Sequence, residues 1–318
     1  MDHRPDLNDI RNAQRRISPY IHRTPVMTCA ALDAMTGNSL FLKCENLQKG
    51  GVFKVRGAFN AVLSMTTSEA EPGVVTHSSG NHAAALSMSA QLRGIPAYIV
   101  MPANAPRVKV EAVRSYGGQI TFCEPTLAAR ESSAEALMNT TGASLIHPYN
   151  DWRIIAGQAT CALELLEQIP DLEVILVPVG GGGLLSGSLL CVKSLKAEVR
   201  VYGCEPAGAD DACRSLRAGR IIPSVHPHTI ADGLLTSLGD KTFAVIRELV
   251  EDIVLTPEEA IETAMYAIWE RMKIVVEPSA AVPLACLLTG KPPLKGKRIG
   301  VILSGGNVDF DNVCRREA

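Results

Sequence analysis

The sequence of 318 residues has few aromatic side chains, almost no net charge and no long apolar run. Aromatic residues make up 4% of the chain, and the formal net charge is −2. A charge this small gives no electrostatic footprint for nucleic acid. No uninterrupted apolar stretch is long enough to span a bilayer. The composition therefore excludes a basic nucleic-acid binder and a membrane-spanning protein.

Paired cysteines are also lacking, because the nine cysteines are scattered and none forms a C-x-x-C pair. This spacing predicts neither a zinc site nor a disulfide framework. The cysteines are typical of small buried apolar residues in a reducing compartment. Residues 1–6 are polar and lack the apolar core of a signal peptide. We therefore expect a cytoplasmic protein.

Short apolar segments alternate with helical ones, which predicts an α/β fold with parallel sheets covered by helices. Strands are predicted at residues 40–43, 73–76, 97–101, 119–122, 174–179, 199–203 and 298–303. Helices are predicted at residues 57–65, 81–93, 107–116, 128–140, 158–168 and 257–272.

Two polar linkers, residues 66–72 and 148–151, bracket a compact run of strands and helices. We predict that residues 73–149 form a small domain inserted into a larger one. The larger domain would comprise residues 1–65 and 151–318.

Four consecutive glycines follow the apolar run 174–179 and precede an apolar helix: Gly180, Gly181, Gly182 and Gly183. Without side chains, such a loop can close around a ligand and point its N–H groups at a phosphate. A P-loop would need Gly-Lys-Ser/Thr here, but Leu184 and Leu185 follow. A dinucleotide fingerprint G-x-G-x-x-G also fails on spacing, although Glu205 imitates its ribose-binding acid. A Rossmann-type dehydrogenase stays open as an alternative at this point.

Lys54 lies between Phe53 and Val55 in a segment that leads into a helix. Partial burial would lower the pKa of its amine, and a neutral amine can form a Schiff base with an aldehyde. An isolated lysine in this setting more often has a buried stem and a solvated head.

Two further segments end predicted strands with polar, glycine-containing turns. Residues 78–82 could seat a carboxylate at a helix N-terminus, or could simply cap that helix. Residues 304–307 follow the last predicted strand. The carboxyl ends of parallel strands are where α/β proteins bind ligands.

In this order, the segments resemble the pyridoxal-phosphate enzymes of fold type II, in the serine racemase and serine/threonine dehydratase branch. The resemblance extends from about residue 17 to residue 311 and rests on residues 43–48, 53–58, 78–82, 155–158, 180–183, 205–211, 229–233 and 304–307. It implies two open, parallel-type sheets with helices on both faces, pyridoxal 5′-phosphate as cofactor, an amino-acid substrate and a homodimer.

The resemblance also implies roles for individual residues. Lys54 would form the Schiff base with the cofactor, and Phe53 would pack beside the ring. Gly180, Gly181, Gly182 and Gly183 would hold the phosphate, and Asn81 would donate to the phenolic oxygen. Ser304 would face the pyridine nitrogen. A neutral hydroxyl at that nitrogen favours elimination and racemisation over transamination.

Ser79 is implied as a second catalytic residue, on the ring face opposite Lys54. The substrate carboxylate would be bound by Ser78, Ser79, Gly80, Asn81, His82 and Arg130. A divalent ion, Mg²⁺ or Ca²⁺, would be held by the carboxylates of Glu205 and Asp211 and the carbonyl of Ala209. Without the resemblance, this acidic turn would be read as solvated surface.

The expected activity is removal of water and ammonia from a small β-hydroxy amino acid of the L-serine or L-threonine type, together with racemisation. The main alternative is a 3-hydroxyaspartate ammonia-lyase, since residues 147–151 and 277–283 also resemble such enzymes. Tyr149 is a candidate pocket residue, and His147, Arg153 and Arg130 are candidate cations for a second carboxylate. A Rossmann-type dehydrogenase and a non-catalytic ligand-binding protein are the alternatives from other classes.

Overall fold

The computed structural model describes residues 3–78, 80–105 and 107–309. These residues form ten strands: β1 (Val26–Met27), β2 (Ser39–Cys44), β3 (Val74–His77), β4 (Ala97–Pro102), β5 (Gln119–Cys123), β6 (Ser144–Leu145), β7 (Val174–Pro178), β8 (Arg200–Pro206), β9 (Asp252–Thr256) and β10 (Arg298–Leu303).

The α-helices of the described residues are α1 (Leu7–Ile17), α2 (Ala30–Thr36), α3 (Lys54–Ser64), α4 (Thr67–Ala70), α5 (Asn81–Arg93), α6 (Arg107–Ser115), α7 (Leu127–Thr141), α8 (Trp152–Gln168), α9 (Gly183–Leu195), α10 (Asp211–Ala218), α11 (Asp240–Leu249), α12 (Glu258–Met272) and α13 (Pro278–Leu288). No helix in this part of the chain is both long and apolar enough to cross a bilayer.

The strands form two sheets, with orders β1-β2-β10-β7-β8-β9 and β5-β4-β3-β6. All neighbours are parallel except β1, which pairs antiparallel with β2. The predicted α/β class with two open, parallel-type sheets is confirmed, with one antiparallel edge strand added. The four-stranded sheet falls within residues 73–149, but the two-domain boundaries remain a prediction.

The strands of the larger sheet are apolar on both faces because helices cover both sides. Five of its strands are parallel, and β7 is buried at every position. One apolar cluster packs α8, α9 and α11 on one face, and a second packs α12 and α13 on the other. A third cluster joins the four-stranded sheet to the second half of α3. Helix α3 therefore packs against the four-stranded sheet and its helix α5 on one side and against α8, which covers the larger sheet, on the other.

Several predicted boundaries were wrong; strand β8, for example, ends at Pro206 rather than at residue 203. Helix α3 begins at Lys54 rather than at residue 57, and α8 begins at Trp152 rather than at 158. The predicted linker 66–72 contains α4, which Thr66 and Glu69 close with a capping box. The two long helices start early because α3 and α8 pack closely: a Cβ at Gly157 would lie 2.5 Å from the Arg56 carbonyl oxygen.

The carboxyl ends of β3, β7 and β10 face a common cleft between the two sheets. Strand β3 leads into the turn before α5, β7 leads into the glycine loop before α9, and β10 ends at Leu303, directly before Ser304. Strand ends of this type are where ligands bind in open α/β sheets. The fold thus brings the predicted site segments together although they are far apart in sequence.

Candidate active site

A cavity of about 470 Å³ occupies the cleft. Most of the residues predicted for the cofactor and substrate line it: Phe53, Lys54, Ser78, Gly80, Asn81, His82, Arg130, Gly180, Gly181, Gly182, Gly183 and Ser304. Ser79 lies outside the described residues, so its predicted role stays a prediction. The metal-site residues Glu205, Ala209 and Asp211 do not line this cavity.

Lys54 is the first residue of α3, and its half-buried side chain reaches the cavity. Its ammonium donates to the Pro148 carbonyl at 3.2 Å and lies 5.1 Å from the centre of the Phe53 ring. Burial lowers the pKa of Lys54 to about 8, although the charge of Glu277 acts in the opposite direction. The amine is therefore neutral in a substantial fraction of molecules near pH 8.

The glycine loop enters α9 with its hydrogen-bond donors free. Gly182 has a φ of 85°, which side chains disfavour, and it precedes the first helical residue, Gly183. The backbone N–H groups of residues 181–183 donate to no described residue. A Cβ at Gly181 would lie 2.3 Å from the Tyr149 ring. The Tyr149 ring therefore lies against the loop and leaves no room for a side chain at residue 181. The loop offers its N–H groups at the positive end of a helix, where a phosphate binds favourably.

Ser304 closes the cavity at the end of β10. Its backbone carbonyl accepts from the Phe53 N–H at 3.0 Å, which links it to the start of α3. Its hydroxyl lines the cavity and bonds to no described residue. A neutral hydroxyl at this place is available to a ligand.

The turn before α5 places Asn81 and His82 at the first two helical positions. The His82 ring bonds the Ile146 carbonyl at 3.3 Å, and burial lowers the pKa of His82 to about 3. The imidazole is therefore neutral, and both Asn81 and His82 line the cavity. Arg130, on α7, lines the cavity and has no carboxylate partner in the described part of the chain.

The two other candidate cations, Arg153 and His147, offer no available positive charge for a second substrate carboxylate. Arg153 is paired with Asp151 at 2.7 Å. Burial lowers the pKa of His147 to about 4, and its Nδ1 accepts from the Tyr149 and Asn150 N–H groups. Tyr149 lines the cavity, as expected.

Sequence reasoning assigned no role to four residues that also line the cavity: Glu277, Asn307 and Asp232, which lie in the segments that carry the resemblance, and Lys109. Lys109 on α6 pairs with Asp232 across the mouth of the cleft. Glu277 is only 4% exposed, and burial raises its pKa to about 7. A single acid between the apolar residues Val276 and Pro278 was the available signal for it.

Glu205 and Asp211 form a separate acidic site at the start of α10. Glu205 accepts the N–H groups of Ala212 and Cys213 at 2.8 and 2.9 Å. Burial raises the pKa of Glu205 to about 8 and that of Asp211 to about 6. Both Asp211 carboxylate oxygens are buried without a hydrogen bond of ordinary geometry among the described residues. Glu205 therefore caps a helix, which is not the role of a ribose-binding acid.

Comparison with known proteins gives one consistent result. The family described as "Pyridoxal-phosphate dependent enzyme" matches residues 17–305. A serine racemase of Arabidopsis thaliana is 53% identical over 313 residues, which cover 97% of this chain and 95% of the relative. A beta-hydroxyaspartate dehydratase of Paracoccus denitrificans is 49% identical over 309 residues, covering 97% and 98%. The structure of maize serine racemase superimposes with a TM-score of 0.96 at 47% identity, covering 98% and 97%.

Proposed function

The chain belongs to the pyridoxal-phosphate dependent enzyme family, and we propose that it removes water and ammonia from a small β-hydroxy amino acid, giving a 2-oxo acid, and also racemises amino acids. The observation that carries this proposal is the convergence of a desolvated lysine and a donor-rich glycine loop in one cavity. The serine racemase and hydroxyaspartate dehydratase relatives support both activities.

The residues present fit pyridoxal phosphate. The N–H groups of residues 181–183 lack acceptors and would hold the phosphate, while Lys54 would carry the aldehyde carbon. The Ser304 hydroxyl and the Asn81 amide would bind the ring's polar atoms. When bound, the cofactor withdraws electrons from the amino acid and makes its Cα proton acidic.

Lys54 would act as the general base for that proton. A base works best when its pKa lies near the working pH, and burial lowers the pKa of Lys54 to about 8. The Pro148 carbonyl accepts a hydrogen bond from the amine without forcing it to stay charged. The backbone turn at residues 78–82 would fix the substrate carboxylate, so that the Cα proton faces Lys54.

Ser79 is the proposed acid on the opposite face, because its neighbours Ser78 and Gly80 line the cavity. We expect Ser79→Ala to lower racemisation far more than elimination, since elimination needs only Lys54 and a protonated leaving group. Initial rates of enantiomer inversion and of 2-oxo acid formation measure the two losses. Equal losses would contradict this role and would make Ser79 a substrate-binding group only.

A second candidate, 3-hydroxyaspartate ammonia-lyase, is favoured by Arg130. Its guanidinium lines the cavity without a carboxylate partner among the described residues, so it could bind a second substrate carboxylate. In that case the substrate would be a dicarboxylic β-hydroxy amino acid.

We further propose that Glu205, Asp211 and the Ala209 carbonyl bind Mg²⁺ or Ca²⁺. Burial raises the pKa of both carboxylates, and the two Asp211 oxygens lack a hydrogen bond of ordinary geometry to any described residue, so a hard cation would stabilise the pair. The described residues contain no group of three or more His, Cys, Asp or Glu side chains that could hold a metal, so this site would depend on two carboxylates and one backbone carbonyl. A cytoplasmic homodimer is proposed from the family resemblance, and light scattering tests the dimer.

Two measurements test the proposed activity. Borohydride reduction followed by peptide mass spectrometry should place a phosphopyridoxyl group on Lys54, and an adduct on another lysine would contradict the assignment. A panel of L-serine, D-serine, L-threonine and the 3-hydroxyaspartate isomers is then scored for 2-oxo acid and for inverted amino acid. Turnover of hydroxyaspartate alone would favour the second candidate, and no product from any of these substrates would refute the function.

A further inference from the structure

A buried carboxylate, Glu277, contacts the cofactor-facing residue Asn81. The Asn81 Nδ2 atom donates to the two Glu277 oxygens at 3.2 and 3.1 Å. The two oxygens of one carboxylate lie too close together to take one amide hydrogen each, because the two N–H bonds diverge widely. One hydrogen is therefore shared between them, and the second N–H of Asn81 remains for another acceptor.

The other end of the Asn81 amide is fixed as well. Asn307 Nδ2 donates to Asn81 Oδ1 at 2.9 Å and to the Gly50 carbonyl at 2.8 Å. A backbone carbonyl can only accept, so it determines which end of the Asn307 amide is the donor. Asn307 therefore favours the Asn81 oxygen on its side with one hydrogen bond, and Glu277 favours the Asn81 nitrogen on the other side, so both partners act in the same direction. The hydrogen-bond chain has acceptors at both ends, Gly50 and Glu277.

We propose that Glu277 is a positioning residue that fixes the orientation of the Asn81 amide, so that Asn81 presents an N–H group to the cofactor. An ionised carboxylate has no hydrogen to donate, so it accepts only the nitrogen end of the amide. With a group that can both donate and accept at position 277, the amide could turn over and present its oxygen. A cofactor oxygen would then meet an acceptor instead of a donor.

The surroundings of Glu277 act on its charge in both directions, and their net effect is to raise its pKa. Burial opposes ionisation and raises its pKa to about 7, and Asp232 acts in the same direction. Asn81, Lys109 and the backbone of Asn307 favour the charged form. The charge of Glu277 also acts on Lys54, where it opposes the lowering of the lysine pKa by burial. At pH 8 most of the carboxylate is ionised and the orientation is enforced.

The inference rests on the proposed function, because it assumes that pyridoxal phosphate occupies the cavity. A double-mutant cycle tests it through cofactor affinity, measured at pH 8 by absorbance or fluorescence titration of cofactor-depleted protein. The variants are Glu277→Gln, Asn81→Ala and the double variant. Glu258→Gln is a matched control, because it changes a partly buried carboxylate that bonds Thr229 and Ile230 away from the cavity.

We expect Glu277→Gln to raise the dissociation constant of pyridoxal phosphate about tenfold or more, as for the loss of a hydrogen bond to a charged group. In the Asn81→Ala background the same change should have almost no effect. Glu258→Gln should bind the cofactor like the unmodified chain. An equal fold-change in both backgrounds would overturn the proposal, because Glu277 would then act through packing or through Lys54 directly.

If Asn81→Ala binds no cofactor, Asn81→Ser replaces it in the cycle, since a hydroxyl can rotate to donate without help from Glu277. A full Glu277→Gln effect in the serine background would likewise overturn the proposal. Failure of the unmodified chain to bind pyridoxal phosphate would refute the proposed function instead. The two failures are therefore distinguishable.

Discussion

Two cations at the start of α3, Lys54 and Arg56, lie two residues apart and have opposite surroundings. Arg56 is fully buried and makes five hydrogen bonds of 2.7–3.1 Å, four of them to the carboxylates of Glu45 and Glu164. Lys54 has one hydrogen bond, to a neutral carbonyl. Burial opposes the charge of both residues, so the difference between their pKa shifts comes from their hydrogen-bond partners. Arg56 bonds two carboxylates, whereas Lys54 bonds a neutral carbonyl.

The region around Arg56 is a closed ionic cluster of two cations and two anions: Lys43, Glu45, Arg56 and Glu164. Burial opposes the charge of Glu45, but Arg56 outweighs it and holds the pKa of Glu45 below its ordinary value. The pKa of Arg56 lies above its ordinary value, because the two carboxylates outweigh burial. The ion pairs join residues of β2, of α3 and of α8. They fix β2, α3 and α8 to one another and so hold the helix start that carries Lys54.

The surroundings of Lys54 in the cavity are the opposite of those of Arg56. Among the described residues its amine is hydrogen-bonded to no anion, and burial lowers the pKa of Lys54 to about 8 although the charge of Glu277 acts in the opposite direction. A carboxylate bonded to Lys54, like those around Arg56, would keep the amine charged and useless as a base. The contrast separates a scaffold, in which charges are satisfied, from a reactive site, in which they are kept available.

The largest expected effect comes from removing the reactive cation. Lys54→Ala should lower turnover by at least about 10³-fold, because both the Schiff base and the general base are lost. The free energy of unfolding of this variant should differ little from that of the unmodified chain, since the Lys54 ammonium makes one hydrogen bond, to the Pro148 carbonyl. Steady-state rates and denaturant unfolding measure the two effects. Retained turnover would contradict the division between scaffold and site.

The second expected effect is a loss of stability, and it comes from removing the buried cation Arg56. Arg56→Met should destabilise the fold by about 3–5 kcal/mol, because it leaves two buried carboxylates without their main partner. Arg4→Met is the matched control: it breaks an exposed ion pair with Glu248, worth about 0–1 kcal/mol. Urea unfolding compares the two variants. Similar small losses in both would mean that the buried cluster does not hold α3 in place.

The third effect concerns the acidic site, where anions rather than cations lack partners. Mg²⁺ or Ca²⁺ at about a hundredfold excess over its dissociation constant should stabilise the fold by about 2.7 kcal/mol. EDTA should lower the melting temperature, and either ion should restore it. The double variant Glu205→Gln/Asp211→Asn serves as the control. The same response to EDTA in that variant would place the ion elsewhere.

Much of the fold and of the cavity could be predicted, because the strands are short apolar runs and the site segments follow their carboxyl ends. The tetraglycine loop and Lys54 carry recognisable local patterns. Helix α13 could not be predicted in this way, since it is apolar on all sides and contains Pro283. Periodicity carries no signal when every face of a helix is buried.

The ionic cluster and Glu277 could not be predicted for a different reason. Lys43 and Glu164 are 121 residues apart, and Asn81 and Glu277 are 196 apart. Only the folded chain brings such partners together, so no local pattern in the sequence marks them. The start of α3 at Lys54 could not be predicted for the same reason, because it depends on the ionic cluster around Arg56.

The most direct test of the central claim is the pKa of Lys54 in cofactor-free protein. The rate at which an amine-specific reagent modifies Lys54 is followed by peptide mass spectrometry across a pH series. Only the neutral amine reacts, so the rate should rise with pH around a midpoint of about 8. A midpoint near the ordinary lysine value of about 10.4 would contradict the account, because the cavity would then do nothing to keep the amine reactive.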